Sequence, residues 1–231
     1  SKVDDEDQEA YRRQFGDLVW TEEVGPEGEK REYLYGTLKD WVPEFVKWPI
    51  EYESVWRPWL DIDTDPSVLR RPLRQALAPL KDKGDANFYA SIIDQRGGAT
   101  TRSVARQLSS ILSFDFLVSN WDRYSTAESY YGVNNQFADG RFVSIDNGAA
   151  FPAHHFTVVS RRLEPVTRFS RQTVVSVKAL RPKVLNPILF PEPTRQDEMR
   201  LSVFWEQRNQ FVDLVNRLVG EYGPARVYEF R

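Results

Sequence analysis

Apolar residues recur at helical spacing in two long stretches of the chain. Over residues 100–118, Val104, Leu108, Ile111, Leu112 and Val118 fall on one face and predict a helix. Over residues 198–219, Leu201, Phe204, Trp205, Phe211, Val212, Val215, Leu218 and Val219 form a second apolar stripe, with Gly220 expected to end it. A third candidate, residues 4–15, carries its acids early and its arginines late, the order that suits the helix macrodipole; Gly16 would stop it. Two aromatic-rich runs, residues 18–24 and 31–37, flank Gly25-Pro26-Glu27-Gly28-Glu29-Lys30 and read as a β-hairpin. The Trp- and Pro-rich stretch from Trp41 to Pro66 holds too many prolines for one long helix. A short helix is expected at 67–80. Residues 141–146 (RFVSID) read as a short strand, entered through the Ala138-Asp139-Gly140 turn and left through Asn147-Gly148. Helix dominates and strands are few, so the pattern predicts an α+β fold with a mostly helical body.

Composition narrows the function classes. A chain of 231 residues is one large domain or two small ones, long enough to bury roughly 70% of its unfolded surface. No run of about 18 uninterrupted apolar residues occurs, so no membrane partner is expected. The 31 basic and 34 acidic residues leave a net charge of −3, unlike the strongly basic balance of a general nucleic-acid binder. The absence of Cys removes disulfides and thiolate catalysis, and fits a reducing cytoplasm. The acidic, polar start carries no signal-peptide pattern, and a cytoplasmic location is expected.

The chemistry concentrates in residues 114–151. An apolar helix end leads into Asn120-Trp121-Asp122-Arg123; a polar stretch and a strand then lead into Asp146-Asn147-Gly148. Two acids thus sit on two loops, each after an apolar segment able to anchor it. Phosphoryl transfer asks for such a layout, because its transition state needs positioning and charge neutralisation more than covalent chemistry. One carboxylate orients the attacking hydroxyl, and the other holds the divalent metal that bridges the phosphates. Each motif also has a plain structural reading, Asp-Asn-Gly as a turn and Asp122-Arg123 as a salt bridge.

The N-x-D-R motif, followed after about twenty residues by hydrophobic-D-N-G-x-x-F ending at Phe151, resembles the catalytic core of the atypical kinases. These include the secretory-pathway Golgi kinases of the Four-jointed type and, more distantly, the bacterial HipA-like kinases. The resemblance implies a protein-kinase-like fold, with a remnant of the N-lobe over 1–40 (helix, hairpin and hinge) and a helical C-lobe over 41–231. It implies ATP as cosubstrate with Mg²⁺ or Mn²⁺, and a protein or small-molecule hydroxyl as acceptor. Asp122 would be the catalytic Asp, with Asn120 and Arg123 shaping its loop. Asp146 would bind the metal. Glu9 would stand on the helix that follows the nucleotide-binding lysine strand, and Tyr35, Thr37 and Leu38 in the hinge against the nucleotide.

Two departures from the family's pattern are visible. Many relatives place an Asn a few residues after the catalytic Asp as a second metal ligand. Here the run is Tyr124-Ser125-Thr126-Ala127-Glu128-Ser129, so Glu128 becomes the metal candidate, and its added charge would favour Mn²⁺. The glycine-rich strands and strand Lys of a kinase are also absent ahead of Glu9. A longer or cleaved kinase, a partner chain completing the nucleotide site, and a catalytically dead pseudokinase or binding subunit each account for that. A kinase-fold adenylyl transferase is a further alternative.

Outside this region, residues 161–183 carry seven basic residues against the single acid Glu164. Substrate docking and an ordinary solvated face are both readings of it. Trp41, Trp48, Trp56 and Trp59 are expected to pack in a core, Trp121 to anchor its loop, His154 and His155 to pack rather than shuttle protons, and Arg208 to snorkel from its apolar stripe.

Overall fold

The computed structural model describes residues 20–24, 30–34, 46–47, 53–78, 99–124, 135–138, 141–144 and 147–230. The chain divides into two compact units, Ser1–Val42 and Pro43–Arg231. In the first, β1 (Trp20–Val24) pairs antiparallel with β2 (Lys30–Leu34), from Trp20 opposite Leu34 to Val24 opposite Lys30. This is the expected hairpin, with its second strand ending sooner. The helix expected at 4–15 and the hinge residues Tyr35, Thr37 and Leu38 lie outside the described residues.

The second unit is mostly helical. Among the described residues its helices are α1 (Glu53–Leu60), α2 (Leu73–Ala76), α3 (Thr101–Leu117), α4 (Thr157–Leu163), α5 (Arg171–Ala179), α6 (Pro182–Leu189), α7 (Arg195–Tyr222) and α8 (Pro224–Val227). The expected helix at 67–80 is instead a 3-10 turn, Pro66–Arg70, followed by α2. Pro72 separates them, because the residue before a proline is pushed out of the helical region; Arg71 is extended. Asp65 caps the 3-10 turn through the Ser67 N–H, which holds its carboxyl below the usual carboxylate range.

Helix α3 is the spine. Thr100 and Ser103 form a reciprocal capping box at its start. Val104, Leu108, Ile111 and Leu112 are buried along it, and α1, α4 and α7 pack against it. Trp56 and Trp59 join this core, as expected of them, while Trp41 and Trp48 lie outside the described residues. Helix α7 buries Leu201, Phe204, Phe211, Val215 and Leu218 from the expected stripe. Gly220, however, does not end it. The helix runs on to Tyr222, and Gly223 stops it with φ +81°. Arg208 does more than snorkel: its Nη2 and Nε donate to the carbonyls of Lys178 (2.8 Å) and Val177 (3.3 Å), closing the exposed end of α5.

A small antiparallel sheet has the order β3 (Val46–Lys47), β4 (Asn135–Ala138), β5 (Arg141–Ser144). The expected strand at 141–146 is thus seen over 141–144, and Ile145 and Asp146 lie outside the described residues. On the open edge of β5, the Phe142 N–H donates to Gln107 Oε1 of α3 at 2.7 Å. That bond ties the sheet to the spine and satisfies an edge group. Among the described residues no helix is long and apolar enough to cross a membrane.

Candidate active site

The end of α3 sets the first loop. Ser119 takes a left-handed backbone (φ +51°), its N–H reaches the Phe116 carbonyl, and the Asn120 N–H reaches the Asp115 carbonyl at 2.9 Å. These two bonds are a Schellman stop, with Ser119 where glycine is usual. The Ser119 hydroxyl donates to Gln207 Oε1 of α7 at 2.7 Å, which fixes the turn against the neighbouring helix. The chain then passes through Asn120 and Trp121 into a 3-10 turn over Asp122–Tyr124.

Arg123 turns back into the protein. Its Nε donates to both oxygens of Asp115, at 2.8 and 2.6 Å, and neither side chain is exposed. Its Nη2 donates to Ser144 Oγ at 2.5 Å and to Asn147 Oδ1 at 2.8 Å. Ser144 Oγ donates to the same Asn147 oxygen at 2.8 Å, and Asn120 Nδ2 donates to it at 3.1 Å. Asn147 Oδ1 therefore receives three donors from two segments, Asn120 and Arg123 of the loop after α3 and Ser144 of β5. Beyond it, the Phe151 N–H donates to the Val118 carbonyl at 2.7 Å. Phe151 has φ +57°, uncommon for an aromatic residue, and its ring packs on Phe190 and Phe204.

The structure thus brings Asn120 and Arg123 together with Asn147, the residue next to Asp146. Asp122 is half-buried on the same 3-10 turn. Asp146 and Glu128, the two metal candidates, lie outside the described residues, as do Glu9, Tyr35, Thr37 and Leu38. Among the described residues no three His, Cys, Asp or Glu side chains gather into a metal cluster. Asn120 has one further property. It is 1% exposed, yet its Oδ1 has no hydrogen-bond partner. Arg123 can only donate, so the Asn147 atom it meets is the oxygen, and the Asn120 amide faces that oxygen with its nitrogen and leaves its own oxygen open.

Of the other candidates, Trp121 stacks on Phe156 with ring centres 5.2 Å apart and stays 41% exposed, so it braces the loop from one side. His154 packs on Phe156, and His155 Nε2 meets Glu206 Oε2 at 3.1 Å on the surface. The basic stretch 161–183 divides among α4, α5 and the start of α6. One of its members, Arg168, is buried and reaches the carbonyls of Trp59 and Thr64. Burial pulls its guanidinium below the ordinary value, against the opposing pull of Glu229 and Asp61. Arg168 is thus a clasp on the end of α1.

Asp115, Ser144 and Gln207 are missing from the sequence reading. Asp115 carried a signal: an acid inside the apolar run Phe114–Val118, eight residues before Arg123, which a helix followed by a tight stop can fold back onto it. No protein-family model, curated protein or solved structure matches the chain.

Proposed function

We propose that the chain is an ATP-dependent phosphotransferase of the atypical-kinase type, with Asp122 orienting an acceptor hydroxyl and Asp146 binding Mg²⁺ or Mn²⁺. The observation that carries the reading is the tie between the two loops: Asn120 and Arg123 of one bond to Asn147 of the other. Two carboxylates that must cooperate on one phosphoryl group need their loops held in register, and a displacement of about 1 Å costs on the order of 100-fold in rate. Arg123 is neutralised by Asp115, so it supports the loops and leaves the phosphates to other groups.

The donors on offer suit a hard cation. Asp146, Glu128 and the open Asn120 Oδ1 are all oxygen ligands, the kind Mg²⁺ and Mn²⁺ take. A bound divalent metal would neutralise charge on the phosphates. The protein's own part is to hold that metal through Asp146, to keep Asp122 near the acceptor's proton, and to fix both through Asn147. The acceptor is a protein or small-molecule hydroxyl.

Calorimetric titration of the chain with ATP, first with Mg²⁺ and then with Mn²⁺, tests this. Metal-dependent binding is expected, lost in Asp146→Ala and kept in Asp122→Ala, with Asp122→Ala lowering turnover. Full turnover surviving both substitutions would sink the proposal. A second reading, a non-catalytic kinase-like binding subunit, is favoured by the missing Asn in the run after Asp122. It expects no phosphoryl transfer, with or without nucleotide binding. Mass spectrometry of a modified target separates phosphoryl from adenylyl transfer.

A further inference from the structure

We infer that the groove between α3 and β5 is a binding site for a small organic anion with a flat apolar body, such as an aromatic monocarboxylate. The groove has a volume of about 460 Å³, inside the range of roughly 300–1,000 Å³ that small-molecule sites occupy. Its floor is apolar: Ile111, Phe114 and Phe142. Phe114 is 41% exposed on a helix whose other large apolar residues are buried. An aromatic ring left open in a concave surface gains contact area from a planar ligand.

The rim is polar and of one sign. Among the described residues Arg106 is the one charged side chain that lines the groove, and no carboxylate pairs with it. Ser110 and Thr173 also line it, but their hydroxyls bond to each other at 2.9 Å and Ser110 donates to the Arg106 carbonyl at 3.1 Å, so the charge of Arg106 carries the recognition. An Arg fork suits a carboxylate, and among the described lining residues no acid repels one. A cationic or dianionic ligand fits less well, having either no counter-charge or too little.

The groove is also lined by Ser144 and Asn147, the two acceptors of the Arg123 Nη2. An occupant would touch the residues that tie the two loops, which gives the site a physical route to the proposed active site. The binding itself does not depend on phosphoryl transfer.

The test is a ligand-observed NMR titration of the full chain with phenylacetate, beside its neutral isostere phenylacetamide. Saturable phenylacetate binding is expected at about millimolar affinity or tighter, with the amide at least about tenfold weaker. Arg106→Gln and Phe114→Ser, both at exposed positions, are each expected to weaken it by about tenfold or more, while Arg171→Gln, outside the groove, leaves it unchanged. No saturation, equal binding of acid and amide, equal loss in Arg171→Gln, or binding retained by both groove variants would each overturn the inference.

Discussion

Arg123 and Asp115 form a fully buried ion pair, with the Arg123 Nε 2.6 and 2.8 Å from the two carboxylate oxygens. The pair joins the last turn of α3 to the loop that follows it, and the Nη2 of the guanidinium bonds to Ser144 and Asn147. One side chain therefore spans three segments. That geometry needs a planar fork with several donors, which Lys lacks.

Arg123→Met is expected to destabilise the protein by about 3–5 kcal/mol, because the buried Asp115 carboxylate loses the guanidinium that faces it. Arg123→Lys should recover little of this. The double variant Arg123→Met/Asp115→Leu should be more stable than either single one, since both charges are then gone. Urea denaturation measures all four. Equal stability of Arg123→Lys and the native chain would show that the fork is dispensable.

The Asn120 amide gives a second expectation. Its nitrogen faces Asn147 Oδ1 and its oxygen has no partner. Asn120→Asp changes the shape little but sets an acceptor against an acceptor and buries a charge. A loss of about 2–3 kcal/mol is expected at neutral pH, shrinking in acid as the new carboxyl protonates. Asn120→Ala removes one of three donors to Asn147 and should cost about 1 kcal/mol. If Asn120→Asp proved as stable as the native chain, a cation or donor would have to meet the open oxygen.

Much of the helical body was legible because its signals are local. The stripe on α3 and the stripe on α7 are periodic over several turns, and burial follows them. The same holds for the hairpin. What escaped the sequence is what depends on tertiary partners. Helices α4, α5 and α6 lie in a run that reads as a charge cluster, yet Ser170 caps α5 through the Thr173 N–H, and Val174 and Val177 are buried from it. Arg168 looks like one more cation in that run, and only its burial against the end of α1 shows its task. At the candidate site, the sequence placed Asn120, Asp122 and Arg123 on one loop. The bonds through Asn147 could not be read from spacing, since a bond between residues 24 positions apart needs the fold first.

The start of α7 makes stability depend on pH in a definite direction. Hydrogen bonds from the Thr194 hydroxyl and then the Thr194 N–H, with Arg200 adding to them, hold the Asp197 carboxyl below its ordinary value of 3.8. A carboxyl with a depressed value in the folded chain stabilises it above the unfolded value, and that contribution is lost as pH falls through the folded one. The melting temperature of Asp197→Asn should therefore lie below the native one at pH 6. The gap should begin to close below about pH 4 and vanish at the acid end. A gap that is constant with pH would show that the side chain acts by hydrogen bonding alone.

The two glycines at the end of α7 should respond to alanine with opposite signs. Gly220 lies inside the helix, with nothing within 4 Å of where a Cβ would sit. Alanine there lowers the entropy of the unfolded chain and improves helix propensity, so Gly220→Ala should stabilise by about 0.5–1 kcal/mol. Gly223 has φ +81° and ψ 154°. The positive φ turns the chain out of α7, while the extended ψ is what Pro224 imposes on the residue before it. A Cβ is not tolerated in that combination, so Gly223→Ala should cost about 1–3 kcal/mol, although the space around it is open. For a chain of this size each kcal/mol moves the melting temperature by about 2–4 °C, so thermal denaturation resolves both. If both variants moved the same way, the end of α7 at Tyr222 would be in question. A stabilised Gly223→Ala in particular would mean that the left-handed turn is not what directs the chain into α8.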